Sequence, residues 1–429
     1  MSDVRSQELS RRDLLLTTAA AAVCLSANAE KIAAASLGNV RGRSAQELAR
    51  DEDFWIPIAR AYNLDGQYTI LNGGGNNPIP ASVVDAMHRF DELTASQPRP
   101  HNYVLLNRID QHRERLARLF NCDADELAIT RNTTEGLNTV CAGLDLREGD
   151  EVVLSNFDQR YVQPIVDQLV ARHGVVSRTV ELPMSPTASD VVARYQESFT
   201  SKTRLVVASH IVDGFGFVLP VQDLTALAHG HGAQMLVDGA LAFGQIPVDV
   251  RQIGCDYYAT SLHKWLNAPL GTGALFVKRE RLTSLWPLYG NFRASDDIRK
   301  FEQIGTRCGP TIAAIGQAIS FYEQIGPERK AERVKYLSSL VRDALQGVAG
   351  VTVLTEVDES RRSGLARIVV AGLSGRELTT ILREEHRIYT YGNFPGPYDG
   401  VYISPNVFNS GEDMGHLVDS IKQIAARMA

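Results

Sequence analysis

The chain has 429 residues, enough to bury a large core and to divide into two domains. Its 44% hydrophobic and 22% charged residues are ordinary for a soluble globular protein, and a formal charge of -6 leaves no basic footprint for nucleic acid. Cys24, Cys122, Cys141, Cys255 and Cys308 are scattered without CxxC or metal-type spacing, so neither a disulfide framework nor a metal centre is expected.

The first element is "SRRDLLLTTAAAAVCLSANAE", Ser10 to Glu30. Arg11 and Arg12 precede an apolar stretch, Leu14 to Leu25, that is too short to span a bilayer comfortably. Ala27-Asn28-Ala29 then supplies the small-x-small pattern of a signal-peptidase site. This order predicts a twin-arginine signal peptide over residues 1–29, passage through the Tat translocase and a periplasmic destination. A short helix of the mature protein with a charged start is the plainer alternative. Residues 30–65 are expected to form an N-terminal segment packing on the small domain.

From about residue 66, short apolar runs alternate with helical patterns. "ELAIT", "DEVVLS", "RLVVASH", "AQMLVDG", "CDYYAT" and "TGALFVK" read as strands, with amphipathic stretches such as "VQPIVDQLVARHG" and "VQDLTALAHGHG" between them. This alternation predicts an α/β fold with a large, mostly parallel-sheet domain over 66–305. Beyond it, one long helical run from "TIAAIGQAISFYEQIG" to "VRDALQGV" leads into the short strands "VTVLTE" and "LARIVVAG" and two further helices. That is a smaller C-terminal α+β domain over 306–429.

Ligands of such sheets sit beyond the carboxyl ends of the strands. After "ELAIT", Asn132 can cap a helix, with Glu135 completing a capping box, and Thr133 and Thr134 offer hydroxyls to a phosphate at the helix N-terminus. A capped helix with no ligand is the alternative. After "AQMLVDG", Asp238 is either an ordinary Asp-Gly turn or a carboxylate that keeps a pyridine nitrogen protonated. After "CDYYAT" come Ser261, His263 and Lys264, in "SLHKWL". An amine set beside Trp265 loses hydration, which favours the neutral form that attacks a carbonyl and holds it as a Schiff base. A surface lysine lying along the tryptophan is the alternative. Phosphate cradle, carboxylate and lysine, in this order, suit pyridoxal 5'-phosphate.

"LVDGALAFGQIPVDVRQIGCDYYATSLHKWLNAPLGTGALFV" resembles the class V aminotransferase family of pyridoxal-phosphate enzymes, in its isopenicillin N epimerase-like branch. The resemblance implies the type I aminotransferase fold and a homodimer with the active site near the subunit interface. It makes Lys264 the Schiff-base lysine and Asp238 the partner of the pyridine nitrogen. It puts Ala240 under the ring and Thr134, Ser261 and His263, next to Thr133, at the phosphate. Thr306, in "FEQIGTRCGP", would reach the partner subunit's phosphate.

The chain also departs from the family. "SNFDQRYVQP" lacks the ring-stacking histidine, leaving Asp158, Gln159 or Tyr161 for that place. No cysteine follows Cys308, so desulfurase chemistry is not expected. Tyr402, in "GVYISPNVFNS", stands where an arginine for the substrate carboxylate is expected, and Asp213, in "SHIVDGFG", where desulfurases carry asparagine. The carboxylate is then held differently, with Arg293 and Arg307 as candidates, or is absent.

In signal, length and domain plan the chain is similar to an exported member that modifies the glutamate side group of the siderophore pyoverdine. The leading expectation is therefore a periplasmic enzyme acting at an amino group of an exported peptide or siderophore. An epimerase or carbon-sulfur lyase acting on a small amino acid, and a non-catalytic binding protein, are the rivals.

Overall fold

The computed structural model describes residues 40, 42–158, 160–291, 293–355, 358–392 and 399–428. The expected signal peptide, with Arg11, Arg12 and its cleavage site, and Gln159 lie outside the described residues.

In chain order the strands are β1 (Thr69–Ile70), β2 (Leu127–Thr130), β3 (Glu151–Ser155), β4 (Val176–Val180), β5 (Thr203–Ser209), β6 (Gln234–Asp238), β7 (Tyr257–Ser261), β8 (Gly273–Val277), β9 (Val351–Val353), β10 (Ala366–Val370), β11 (Ile388–Tyr389) and β12 (Val401–Ile403). The central sheet runs β2-β8-β7-β6-β5-β3-β4. β4, β3, β5, β6 and β7 are parallel to one another, and β8 alone runs against its neighbours β7 and β2. The fold is α/β with a mostly parallel central sheet.

The apolar runs of these strands follow from burial on both faces. Val153, Val206, Met235, Val237 and Phe276 enter one core, while Val152, Leu154, Leu205, Val207, Leu236 and Leu275 enter the core on the opposite face. β4 is the exception. Its Ser177, Arg178 and Thr179 are not buried, as an edge strand allows, and its text carries little apolar signal.

The expected single helical run breaks at Gly326, whose φ of 90° lies in the left-handed half of the map. Before the break, Gly309–Ile325 packs on the helices Ala81–Ser96 and Pro98–Leu106 and buries Ile312, Ile315 and Ile319 in the large-domain core. After it, Pro327–Leu345 joins Gly411–Met428, Gly375–His386 and the antiparallel sheet β12-β10-β9 around a separate core of Leu337, Val341, Ile368, Ile403 and Leu417. The first helix among the described residues, Ala45–Ala49, packs on Pro327–Leu345. There the fully buried Arg333 donates to the Ala49 carbonyl and the Glu52 carboxylate, both at 2.8 Å.

Candidate active site

β2 delivers the chain to Asn132, whose side chain accepts the Glu135 N–H at 2.9 Å and opens the helix Thr133–Gly143. The expected capping box is not reciprocal. The Glu135 carboxylate reaches past Asn132 to the Arg131 N–H at 2.6 Å and is also held by the Arg131 guanidinium at 3.0 Å.

The Ser261 hydroxyl, from the end of β7, accepts the Thr133 N–H at 3.0 Å and lies 2.7 Å from the Thr133 hydroxyl. Gly136 permits this approach, because a Cβ there would stand 2.8 Å from the Ala259 Cβ. His263 donates from Nδ1 to the Thr272 carbonyl at 2.9 Å, which fixes the ring and leaves Nε2 as its remaining polar atom. Burial keeps its pKa below the usual histidine value.

Asp238 ends β6, 9% exposed, with one carboxylate oxygen accepting the Ala240 N–H at 2.9 Å. Burial pushes its pKa up to about 6, against the pull of that N–H and of nearby Lys264. Lys264 is half-buried in the turn after β7, while its neighbour Trp265 is fully buried. The Lys264 carbonyl accepts from Asn77 Nδ2 at 2.9 Å and from the Asn267 N–H at 3.3 Å. Asn267 adopts a left-handed φ of 58°. From Pro327–Leu345, the buried Lys330 ammonium donates to the Trp265 carbonyl and, at 3.0 Å, to Asn267 Oδ1. Burial pulls the Lys330 pKa down to about 7.

Lys264, Asp238, Ala240, Thr133, Thr134, Ser261 and His263 line one cleft of about 480 Å³. Asp213 and Tyr402 line it too, as does Tyr161 at 53% exposure. Asp158 does not cover a ring. Its carboxylate accepts from the N–H and hydroxyl of both Ser155 and Ser209, a strut between the ends of β3 and β5. Thr306 is exposed and does not line the cleft of its own chain. Arg293 and Arg307 also lie elsewhere, beside Asp297 and Glu302 at 3.6 Å each. A larger cavity of about 590 Å³, bounded by Arg118, Leu219, Val248 and Tyr322, contains neither Lys264 nor Asp238.

Three parts of the cleft are not anticipated from the sequence. One is the glycine run of "LNGGGNNP": a Cβ on Gly74 would fall 1.6 Å from the Tyr402 hydroxyl oxygen, so only glycine lets this backbone pass. Three successive glycines were the available signal. The others are Arg160 and Tyr391, joined by a hydrogen bond of 2.6 Å.

The donor set fits pyridoxal phosphate. Hydroxyls at a helix N-terminus suit a phosphate dianion. A buried carboxylate whose ionised form is disfavoured by its surroundings gains from a protonated ring nitrogen beside it. Fold and site together define a pyridoxal-phosphate enzyme of fold type I. The chain belongs to the aminotransferase class-V family, whose profile matches residues 70–392.

Isopenicillin N epimerase of Streptomyces clavuligerus is 30% identical over 381 residues, covering 83% of this chain and 95% of that protein. A probable cysteine desulfurase of Methanothermobacter thermautotrophicus is 29% identical over 322 residues, 71% of this chain and 77% of its own length. Among solved structures, a lysine mutant of C-DES with glycine covalently linked to its pyridoxal-phosphate cofactor superimposes with a TM-score of 0.76. It is 26% identical and covers 83% of this chain and 97% of that one.

Proposed function

We propose that the chain is an exported, periplasmic pyridoxal-phosphate enzyme acting at an amino group of a peptide or siderophore, of the kind that modifies the side-chain glutamate of pyoverdine. The observation that carries this reading is the convergence of Lys264 and Asp238 in a cleft where Tyr402 replaces the arginine expected for a free α-carboxylate. When bound, the cofactor supplies an electron sink for the carbon next to the substrate nitrogen. Lys264 Nζ would hold the cofactor by its aldehyde and, once the substrate amine displaces it, would be the free amine placed to move a proton at that carbon. Asp238 would keep the ring nitrogen protonated, and Ala240 would lie under the ring. Thr133, Thr134, Ser261 and His263 would anchor the phosphate, with Nε2 of His263 donating when the imidazole is protonated.

A second copy of the chain would bring Thr306 to the phosphate. Leu270, Trp286, Leu288 and Tyr289 support such a homodimer, since they leave 62%, 74%, 38% and 46% of their surface exposed. An epimerase reading has its own support in the 30% identity to an isopenicillin N epimerase over most of the chain.

Comparing kcat/KM for free glutamate and for glutamate linked through its side chain to a peptide tests the substrate class. A charge-assisted contact is worth about 1.5–3 kcal/mol when buried, and less when exposed. Both substrates present the same α-amine and α-carboxylate, so a gain for the linked form comes from remote contacts along the cleft. The linked glutamate is expected to be processed at least about tenfold better. Equal values would reject the peptide or siderophore reading.

Export rests on the arginine pair and Ala27-Asn28-Ala29. Replacing Arg11 and Arg12 with lysine is expected to hold the protein in the cytoplasm, folded and with its signal uncleaved. Unimpaired export of the double variant would refute the twin-arginine route.

A further inference from the structure

Tyr402 leaves open what meets an anionic group on the substrate. Its neighbourhood contains two arginines, and they differ in access. Arg367 lies directly opposite Tyr402 in the β10–β12 register, but it is 2% exposed, with its guanidinium 4.0 Å from the Phe215 ring centre. It does not line the cleft.

Arg160 comes from the other domain, on the loop after β3, and is exposed at the cleft. Its guanidinium lies 5.2 Å from the ring centre of Tyr161 and 5.5 Å from that of Tyr391, and it donates to the Tyr391 hydroxyl at 2.6 Å. Tyr391 in turn bridges to Tyr402, accepting the Tyr402 N–H on its carbonyl at 2.7 Å. Through Tyr391, the Arg160 charge is fixed at the corner where Tyr402 stands. Two aromatic faces hold the planar fork in orientation.

Resting on the reading that the cleft works on an amine, we infer that Arg160 is the specificity-determining residue that receives a carboxylate of the substrate. The substrate class is an amine that carries a free carboxylate close to the reacting carbon. Asp213 shares this corner and is close enough to act on Arg160 electrostatically. A carboxylate entering alone meets its repulsion, whereas one flanked by N–H groups can turn its oxygens to Arg160 and its N–H groups to Asp213. That requirement adds to the selectivity.

The test uses the holoenzyme and two probes, γ-glutamylglycine and the same peptide with the carboxylate beside its free amine converted to an amide. Binding is followed by the change in cofactor absorbance. Wild type is expected to bind the acid about tenfold more tightly than the amide. Arg160→Met should bring the acid down to the amide's affinity and leave the amide unchanged, while Arg160→Lys restores part of the difference. Tyr391→Phe, which removes only the anchor, should lower the discrimination without abolishing it.

Equal affinities in wild type, discrimination that survives Arg160→Met, or failure of cofactor-loaded enzyme to bind either peptide would each overturn the assignment. A wild-type protein in which borohydride fixes no cofactor to Lys264 would instead overturn the function on which the inference rests.

Discussion

Replacing Lys264 with alanine is expected to lower turnover by on the order of a thousandfold or more, because one amine both binds the cofactor and moves the proton. The variant should fold normally. The backbone of the turn is held by Asn77, Asn267 and Lys330, and none of these contacts involves the Lys264 side chain. It should also retain weak, phosphate-anchored binding of the cofactor, since Thr134, Ser261 and His263 remain. In wild type, borohydride reduction followed by peptide mapping should find the pyridoxyl group on the peptide containing Lys264. A label on another lysine, or turnover close to wild type in the alanine variant, would refute the assignment.

Asp238→Asn is the second large effect. Asparagine keeps the shape and can still accept the Ala240 N–H, but it carries no charge to hold a proton on the ring nitrogen. Electrostatic stabilisation of this kind is worth about 3–4 kcal/mol, or roughly two to three orders of magnitude in kcat. The loss should fall on kcat more than on KM.

The pH dependence has a definite sign. Burial raises the Asp238 pKa to about 6 in the free protein, and a cationic ring nitrogen lowers it in the complex. Between the lowered pKa of the complex and about 6, cofactor binding therefore releases a proton, and affinity falls as the medium becomes more acid through that window. In Asp238→Asn this contribution should be absent. Cofactor titrations at a series of pH values decide the matter, and an unchanged acid limb in the variant would assign it to another group.

The sheet and the floor of the site were legible for a common reason. β3, β5 and β6 are buried on both faces, so burial writes them into the text as apolar runs, and Asp238 and Lys264 each follow such a run within three residues. β4 left no such mark because an edge strand tolerates Ser177, Arg178 and Thr179. The break in the long helical run was written as Gly326-Pro327, a glycine at a left-handed φ followed by a residue with no N–H to continue the helix, but the apolar periodicity that resumes after it masked the signal. The capping-box reading placed the Asn132 cap correctly and the glutamate contact one residue off, since spacing does not say which of two neighbouring N–H groups a carboxylate will choose. Arg160 and Tyr391 were beyond local reading altogether. They are 231 residues apart and meet only once both domains have folded.

The buried contact from Lys330 to the Trp265 carbonyl and Asn267 also limits how this chain can vary over generations. Losing Lys330 alone strands a carbonyl and an amide oxygen in a dry interior, and losing Asn267 alone deprives a buried ammonium of a partner. Either single step costs more than the pair contributes, because an unsatisfied buried polar group bears its full desolvation penalty. The route between this arrangement and an apolar one therefore passes through a less fit intermediate. Descendants of this chain should keep or lose Asn267 and Lys330 together, so that two positions 63 residues apart are inherited as a unit.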